Sequence, residues 1–526
     1  MKNIFKNSLI IGFLFTLLFA GGCSEDVLDI ADENSLDAST YFTTIEKVNL
    51  NLTSVYSAVK SWELFGSDYL PHVLQMLPHT SNQDWTGTIG WNETGQNEVL
   101  SNSTVVAGCW SGWYRLISRS NDFIANAKIY KESNFIKPGE EAEVDEMLGQ
   151  AYFLRAYANF SIVRLWGEGK ATETSALVAP LFTEVAASNE DMQSTRATVG
   201  EFYDQIISDF LLAEELLPDS WDSDNAARVT SYAAKGFLGK VYMYKEDYPT
   251  AKPYLEEVVN GPFSLVSSDK YNGLFHGEEE FSSESIWEIN FATDMETHVW
   301  NGGTGSQIAL MMAPKGTGWS NVWPHDVNVR RFGSDPRLHV NALEPGVDYV
   351  VPASGIPTLL EKYTTDEEDG LGWSYKKYVP LDYSVYTTNQ NYGANVFIMR
   401  LADVYLLYAE TLNVLGEDVT ASEYMNKVRR RAYAVDTDTP DAAVDYTGLT
   451  GTVLRDSIRE ERFRELFAEG QRWFDIVRWG IAKEESDKYE RIRSGNIVFD
   501  DPKDNYLPIP LVELEANPTL TPSTDY

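Results

Sequence analysis

Positive charge is scarce in this chain. Its 526 residues carry 42 Lys and Arg against 79 Asp and Glu, a formal charge of −37. A field of that sign repels phosphate backbones, which excludes nucleic acid as the natural partner and disfavours strongly anionic polysaccharides. Cysteine is scarcer still. Cys23 and Cys109 are the only two, so no disulfide framework supports the fold. The six histidines, His72, His79, His276, His298, His325 and His339, form no His-Glu-x-x-His pair, and no Cys-x-x-Cys occurs. A Gly-x-Ser-x-Gly elbow and a phosphate-binding loop are also missing. The acidic run Asp366 to Gly370 departs from a calcium loop at Thr365 and Lys376 and reads as a solvated loop. These absences leave no catalytic residue, metal or cofactor to assign. What the chain has in quantity is aromatic side chains: 14 Trp, 29 Tyr and 24 Phe.

Only one long apolar run exists, from Leu9 to Ala20, behind Lys2 and Lys6. At about a dozen residues it is shorter than the ~20 a membrane-spanning helix needs, and its shape is that of a secretory signal. Ala20, Gly21 and Gly22 lead directly into Cys23, which resembles a bacterial lipoprotein signal with Cys23 as the acylated first residue of the mature chain. The expected organisation is a signal peptide over residues 1–22, a lipidated polar tether over 23–40, and one folded body over 41–526. The body is attached to the membrane through lipid only.

The body reads as mainly α. Ile45, Val48, Leu52, Val55 and Val59 share one face of a helix over Thr44 to Val59. Apolar residues on most faces of Met147 to Trp166 predict a buried helix, and Phe202, Ile206, Phe210, Ala213 and Leu217 predict another, stopped by Pro218. Leu238-Gly239 with Tyr242, then Ala251, Leu255 and Pro262, fits a tetratricopeptide hairpin, in which small residues let two helices touch. A second copy follows 170 residues later, with Ala409, Leu412, Ala421, Met425 and Val428 in the corresponding places. Between them, from about 263 to 395, the chain is rich in Gly, Pro, Trp, Tyr and Asn, with short alternating runs such as Ser285 to Ile289. It reads as a large loop-rich insertion containing short strands.

Several segments taken together resemble the SusD/RagB family of outer-membrane nutrient-binding lipoproteins. They are Arg155 to Phe160 with Val163 to Gly167, Met399 to Glu410, Ile458 to Arg462 with Glu465-Leu466, Glu469 to Asp475 with Arg478-Trp479-Gly480, and Leu507 to Pro510 with Glu513 and Asn517-Pro518. They occur in family order behind the lipoprotein signal. The resemblance implies a SusD-like helical body carrying a variable loop face, exposed outside the outer membrane. It also implies a SusC-like TonB-dependent transporter as partner, for which the protein acts as a lid while delivering captured glycan. Peptide capture by a RagB-like importer is the nearest alternative, and a glycoside hydrolase built on two of the many carboxylates is a more distant one. Within the motifs, Glu460 and Arg464 are spaced to pair on a helix surface.

A neutral sugar ring offers an apolar C–H face and a polar rim. An aromatic side chain held flat at the surface covers the face, and Asn, Asp or Arg neighbours bond the hydroxyls. Trp110, Trp113, Trp166, Trp287, Trp473 and Trp479 fall in regular patterns and read as core. Trp85 and Trp91, near Asn82 and Asp84, lie in a polar, glycine-punctuated early loop. Trp300, Trp319, Trp323 and Trp373 lie in the insertion, with Asn321 as a further hydroxyl partner and Tyr392 and Arg330 as additions. The expectation is a surface shelf for a neutral poly- or oligosaccharide built from these residues. The competing reading for any one ring is that it plugs a loop onto the scaffold.

Overall fold

A computed structural model describes residues 41–75, 80–81, 91–293, 305–314, 316–362, 371–385, 392–490 and 499–526. Cys23, the tether, Asn82, Asp84, Trp85, Trp300 and the acidic run 366–370 lie outside the described residues. The first half is a succession of helices: α1 (Ile45–Val59), α2 (Tyr69–Gln75), α3 (Trp91–Gln96), α4 (Thr104–Glu132), α5 (Glu140–Trp166), α6 (Val199–Leu216), α7 (Ser231–Tyr244) and α8 (Tyr248–Val259). The insertion adds the short helices α9 (Ile308–Met312), α10 (Asp326–Arg331) and α11 (Leu338–Asn341). The C-terminal part supplies α12 (Leu401–Val414), α13 (Asp418–Ala432), α14 (Gly451–Glu465), α15 (Arg472–Arg478), α16 (Ala482–Glu490) and α17 (Leu511–Ala516).

Local chemistry starts these helices where the polar residues sit. Thr198 and Glu201 cap α6 reciprocally, and Thr230 and Asp247 accept the first free N–H groups of α7 and α8. The α1 stripe is buried as its periodicity requires, and α5 is buried on nearly every face from Met147 onward. Consecutive helices pack in a row: α1 on α4, α4 on α5, α5 on α6, and α6 on the α7–α8 hairpin. Helix α8 then meets α12, so the two sequence-distant hairpins α7–α8 and α12–α13 stack directly. A Cβ at Gly239 would lie 2.6 Å from the Leu255 side chain, which is why this position is glycine. Ala251, Ala409 and Ala421 are fully buried at the equivalent contacts.

Among the described residues, eight short strands pair two by two: β1 (Thr80–Ser81) with β3 (Trp323–Pro324), β2 (Ser285–Ile289) with β8 (Val396–Arg400), β4 (Ala342–Leu343) with β7 (Ser374–Tyr375), and β5 (Tyr349–Val350) with β6 (Thr358–Leu359), all antiparallel. The β2–β8 pair zips the two ends of the insertion together at its base.

The motif arginines and glutamates are buried as networks. Glu465 meets Arg400 at 2.7 Å and Arg337 at 3.1 Å, and also bonds Arg431. Arg400 continues to Glu284 and Glu469, and Lys377 to Glu469, each at 2.7 Å. A second network joins Arg462 to Asp403 and Asp475, and Arg478 to Glu410, whose carboxylate also accepts the Trp479 indole N–H. Arg155 forks onto Asp209 and ties α5 to α6. The Glu460–Arg464 surface pair does not form. Glu460 turns to Arg331 of the insertion, and Arg464 lies nearest Asp335, because the insertion covers that side of α14.

Cys109 is a buried free thiol. Among the described residues, no helix is long and apolar enough to cross a membrane.

Candidate functional site

The early loop and the insertion meet at the β1–β3 pair, where Ser81 faces Trp323 and Thr80 faces Pro324. Ser81 therefore lies beside the strand that carries Trp323. That segment has a firm mount. Every residue of α9 is buried. Gln307 N–H donates to the Gly66 carbonyl at 2.7 Å, and the Ser67 hydroxyl contacts Met311 Sδ at 3.3 Å.

Beyond α9 the chain doubles back on it. Trp319 N–H donates to Leu310 O at 2.9 Å and Asn321 N–H to Met311 O at 2.8 Å, while the Ser320 hydroxyl donates to Ala313 O at 2.9 Å. Only glycine fits at 318, since a Cβ there would lie 2.6 Å from Leu310 O. Ser320, at φ 56°, turns the chain through the left-handed region between the two backbone bonds. The outcome is an indole 38% exposed on a rigid support, an arrangement that loses little conformational freedom when it binds. Two residues on, Asn321 Oδ1 is buried with no hydrogen-bond partner among the described residues. An acceptor left so costs about 1–3 kcal/mol.

Three expected shelf rings are instead buried. Trp323 is 4% exposed, sealed within β3 by its pairing with β1. Trp373 packs on Val329 and Ala342 and tilts against the His339 ring at 5.7 Å. Tyr392 exchanges backbone bonds of 2.8 and 3.0 Å with Ser306 and packs on Ala309 and Ala394. These rings fasten loops to the scaffold and offer no face to a sugar. Trp91 opens helix α3 and does not lie in a loop, since Glu93 in the first turn favours the helix. Arg330 projects from α10 with about half its side chain exposed, 3.9 Å from Asp326, and Asp326 in turn accepts the Leu371 N–H.

One exposed ring was not anticipated. Tyr349, 60% exposed, stands opposite Leu359 across β5–β6. The alternation Asp348-Tyr349-Val350 was the signal available for it. Among the described residues, no group of three or more His, Cys, Asp or Glu side chains is placed to hold a metal ion.

Asp68 lies just before α2, beside the turn that holds α9. Burial pushes its carboxyl up to about 7, against bonds from Ser67 and Trp62. A raised carboxyl favours the folded state at low pH, and that advantage is lost as pH climbs from about 4 to about 7. Asp68→Asn is therefore expected to raise the melting temperature at pH 8 and to leave it nearly unchanged at pH 4. Equal shifts at both pH values would show that Asp68 is not the titrating group.

Two family models match nearly end to end: "Starch-binding associating with outer membrane" over residues 26–243 and "SusD family" over residues 283–526. The chain belongs to the SusD family. A SusD-like protein of Formosa agariphila is 25% identical over 98% of both chains. Among solved structures, a SusD homolog from Bacteroides thetaiotaomicron superposes with a TM-score of 0.76 at 22% identity, covering 93% of this chain and 98% of that one. A laminarin-binding SusD-like protein superposes with a TM-score of 0.73 at 23% identity, covering 91% and 99%. The mainly α, hairpin-based architecture is thus that of this family.

Proposed function

We propose that this chain is a cell-surface glycan-binding lipoprotein, anchored through acylated Cys23, that captures a neutral poly- or oligosaccharide and hands it to a SusC-like TonB-dependent transporter as the transporter's lid. It acts by binding and not by catalysis. Capture is assigned to Trp319 and Asn321, together with Asn82, Asp84 and Trp85, which follow Ser81 of β1 in the sequence. The observation that carries this reading is the exposed Trp319 indole fixed by backbone hydrogen bonds on a buried mount. Support comes also from the laminarin-binding relative of the same fold and from the outer-membrane, starch-binding description of the matching family. A net charge of −37 suits a neutral ligand better than an anionic one.

Truncating a tryptophan at the centre of a small contact costs about 2 kcal/mol or more. Trp319→Ala should therefore weaken retardation in native gels containing laminarin or starch by about tenfold or more, with the melting temperature little changed. Trp85→Ala should weaken it as well. Undiminished retardation of both variants in every gel that retards the parent would remove this face from glycan capture.

A further inference from the structure

A cavity of about 320 Å³ opens on the helical body, between the C-terminal ends of α5, α7 and α15 and the 501–506 loop. That volume falls in the range of small-molecule sites. None of its lining residues belongs to the insertion. Its walls are aromatic, with Tyr203, Tyr244, Phe474 and Tyr506 contributing.

Arg164 stands in this wall in an unusual condition. Its guanidinium is clamped between the rings of Phe160 and Phe474, 4.1 and 4.2 Å from their centroids. Its polar contacts are the Phe160 carbonyl at 3.0 Å, the Ser161 hydroxyl at 3.4 Å and the Tyr244 hydroxyl. No carboxylate comes within 4.0 Å of it among the described residues, although every fully buried arginine of the two networks described above has at least one. Lys170 lines the same cavity from an exposed position, and its ammonium likewise has no carboxylate within 4.0 Å among the described residues. The Tyr244 hydroxyl, on a side chain only 9% exposed, lies against the Arg164 guanidinium, and its own proton has no acceptor in good geometry among the described residues.

The acidic residues of the wall are engaged elsewhere or lie at its edge. Glu168 is held by Arg196 at 2.6 Å and by Thr524. Glu173 accepts the Lys170 backbone N–H at 2.8 Å, and Asp501 accepts from the Asn505 amide. Glu246 is exposed to solvent. Of the remaining cations, Arg478 is already forked onto Glu410 and Lys483 meets Asp487 at 3.1 Å. A partly buried arginine without a carboxylate and a buried tyrosine hydroxyl beside it therefore face one aromatic-walled space, with the exposed Lys170 ammonium at its rim. A desolvated cation is costly unless an anion completes it, and an arginine fork matches a carboxylate.

We infer that this cavity is a second binding site, separate from the Trp319 face, for a small carboxylate-bearing molecule about the size of a single sugar acid. Its carboxylate lies between Arg164 and Lys170 and accepts a hydrogen bond from the Tyr244 hydroxyl, and its ring packs on Phe474 and Tyr506. The inference does not depend on glycan capture at Trp319.

Calorimetric titration of the full chain in detergent with glucuronate, and with glucose as the neutral counterpart, tests it. Glucuronate should bind one to one and glucose should give no comparable heat. Tyr244→Phe removes a hydroxyl whose only polar neighbour among the described residues is Arg164, so it should stay folded with the melting temperature little changed and yet weaken glucuronate severalfold. Arg164→Met should weaken it by about tenfold or more. Trp319→Ala should leave it unchanged, which separates this site from the capture face. If Arg164→Met does not fold, Tyr244→Phe and Lys170→Gln carry the decision. Equal or absent binding of the two sugars, or parent affinity in the folded cavity variants, overturns the inference.

Discussion

Glu465→Ala should destabilise the chain by about 3–5 kcal/mol, the usual consequence of removing one partner from a buried ionic network. Glu465 is fully buried and bonds Arg337, Arg400 and Arg431. Burial alone would raise its carboxyl, but the charges of Arg431, Arg400 and Arg337 win and hold it well below the ordinary carboxylate range. Without it, Arg431 keeps only the Glu284 carboxylate, and the network carries an uncompensated positive charge where water cannot reach. Arg337 and Lys377 come from the insertion, while Glu465 and Arg431 come from α14 and α13. The loss should therefore first loosen the insertion from the helical body. Total stability of folded chains is commonly about 5–15 kcal/mol, so the effect is a large part of the whole. Urea unfolding followed by tryptophan fluorescence measures it. Glu423→Ala is the control: Glu423 pairs with Arg430 from a partly exposed position and should cost no more than about 1 kcal/mol. Equal costs for the two variants would refute the central role of Glu465.

Stability should peak at about pH 4–5 and decline on both sides. On the acid side, burial works against Asp403, but Lys240 and Arg462 overcome it and bring its carboxyl to about 2. Glu410 and Asp475 are likewise lowered by their arginines against burial. A lowered carboxyl contributes stability that is whole above its unfolded value near 4 and is lost as pH falls through the folded value. For Asp403 that amounts to about 2–3 kcal/mol. On the alkaline side the sign reverses. Burial pushes Asp68 and Glu288 each up to about 7, so the folded state holds protons that the unfolded chain has released, and stability falls from about pH 4 to about pH 7. Self-repulsion in a chain of charge −37, with a pI near 4.5, adds to that slope. A series of melting temperatures from pH 2 to pH 9 at low protein concentration checks both limbs. A melting temperature that climbs steadily from pH 5 to pH 8 would overturn the alkaline limb, and tertiary fluorescence unaltered at pH 2 would overturn the acid one.

Trp319 and Trp323 show where reading a sequence stops. They lie four residues apart in the same kind of polar loop, and nothing local distinguishes them. One is exposed because backbone bonds to Leu310 and Met311 carry it outward. The other is buried in β3, whose strand partner Ser81 lies more than two hundred residues earlier in the chain. Trp373 and Tyr392 were hidden in the same way, by Val329 and Ala342 in one case and by Ser306 in the other. Glu460 had a partner at the right helical spacing, Arg464, and bonded Arg331 instead. In each case burial and pairing were set by contacts between distant segments, which carry no local signature.

The helical body was legible for the opposite reason. Periodicity, capping residues and the small residues Gly239, Ala251, Ala409 and Ala421 act over a few turns of one helix or across one tight hairpin, so the residues that write them also satisfy them. By itself the sequence determined a helical-hairpin body with a loop-rich insertion and no assignable catalytic or metal chemistry. The tertiary structure alone decided which aromatic rings meet solvent and which charges find partners, because both depend on what a folded chain brings together from far apart.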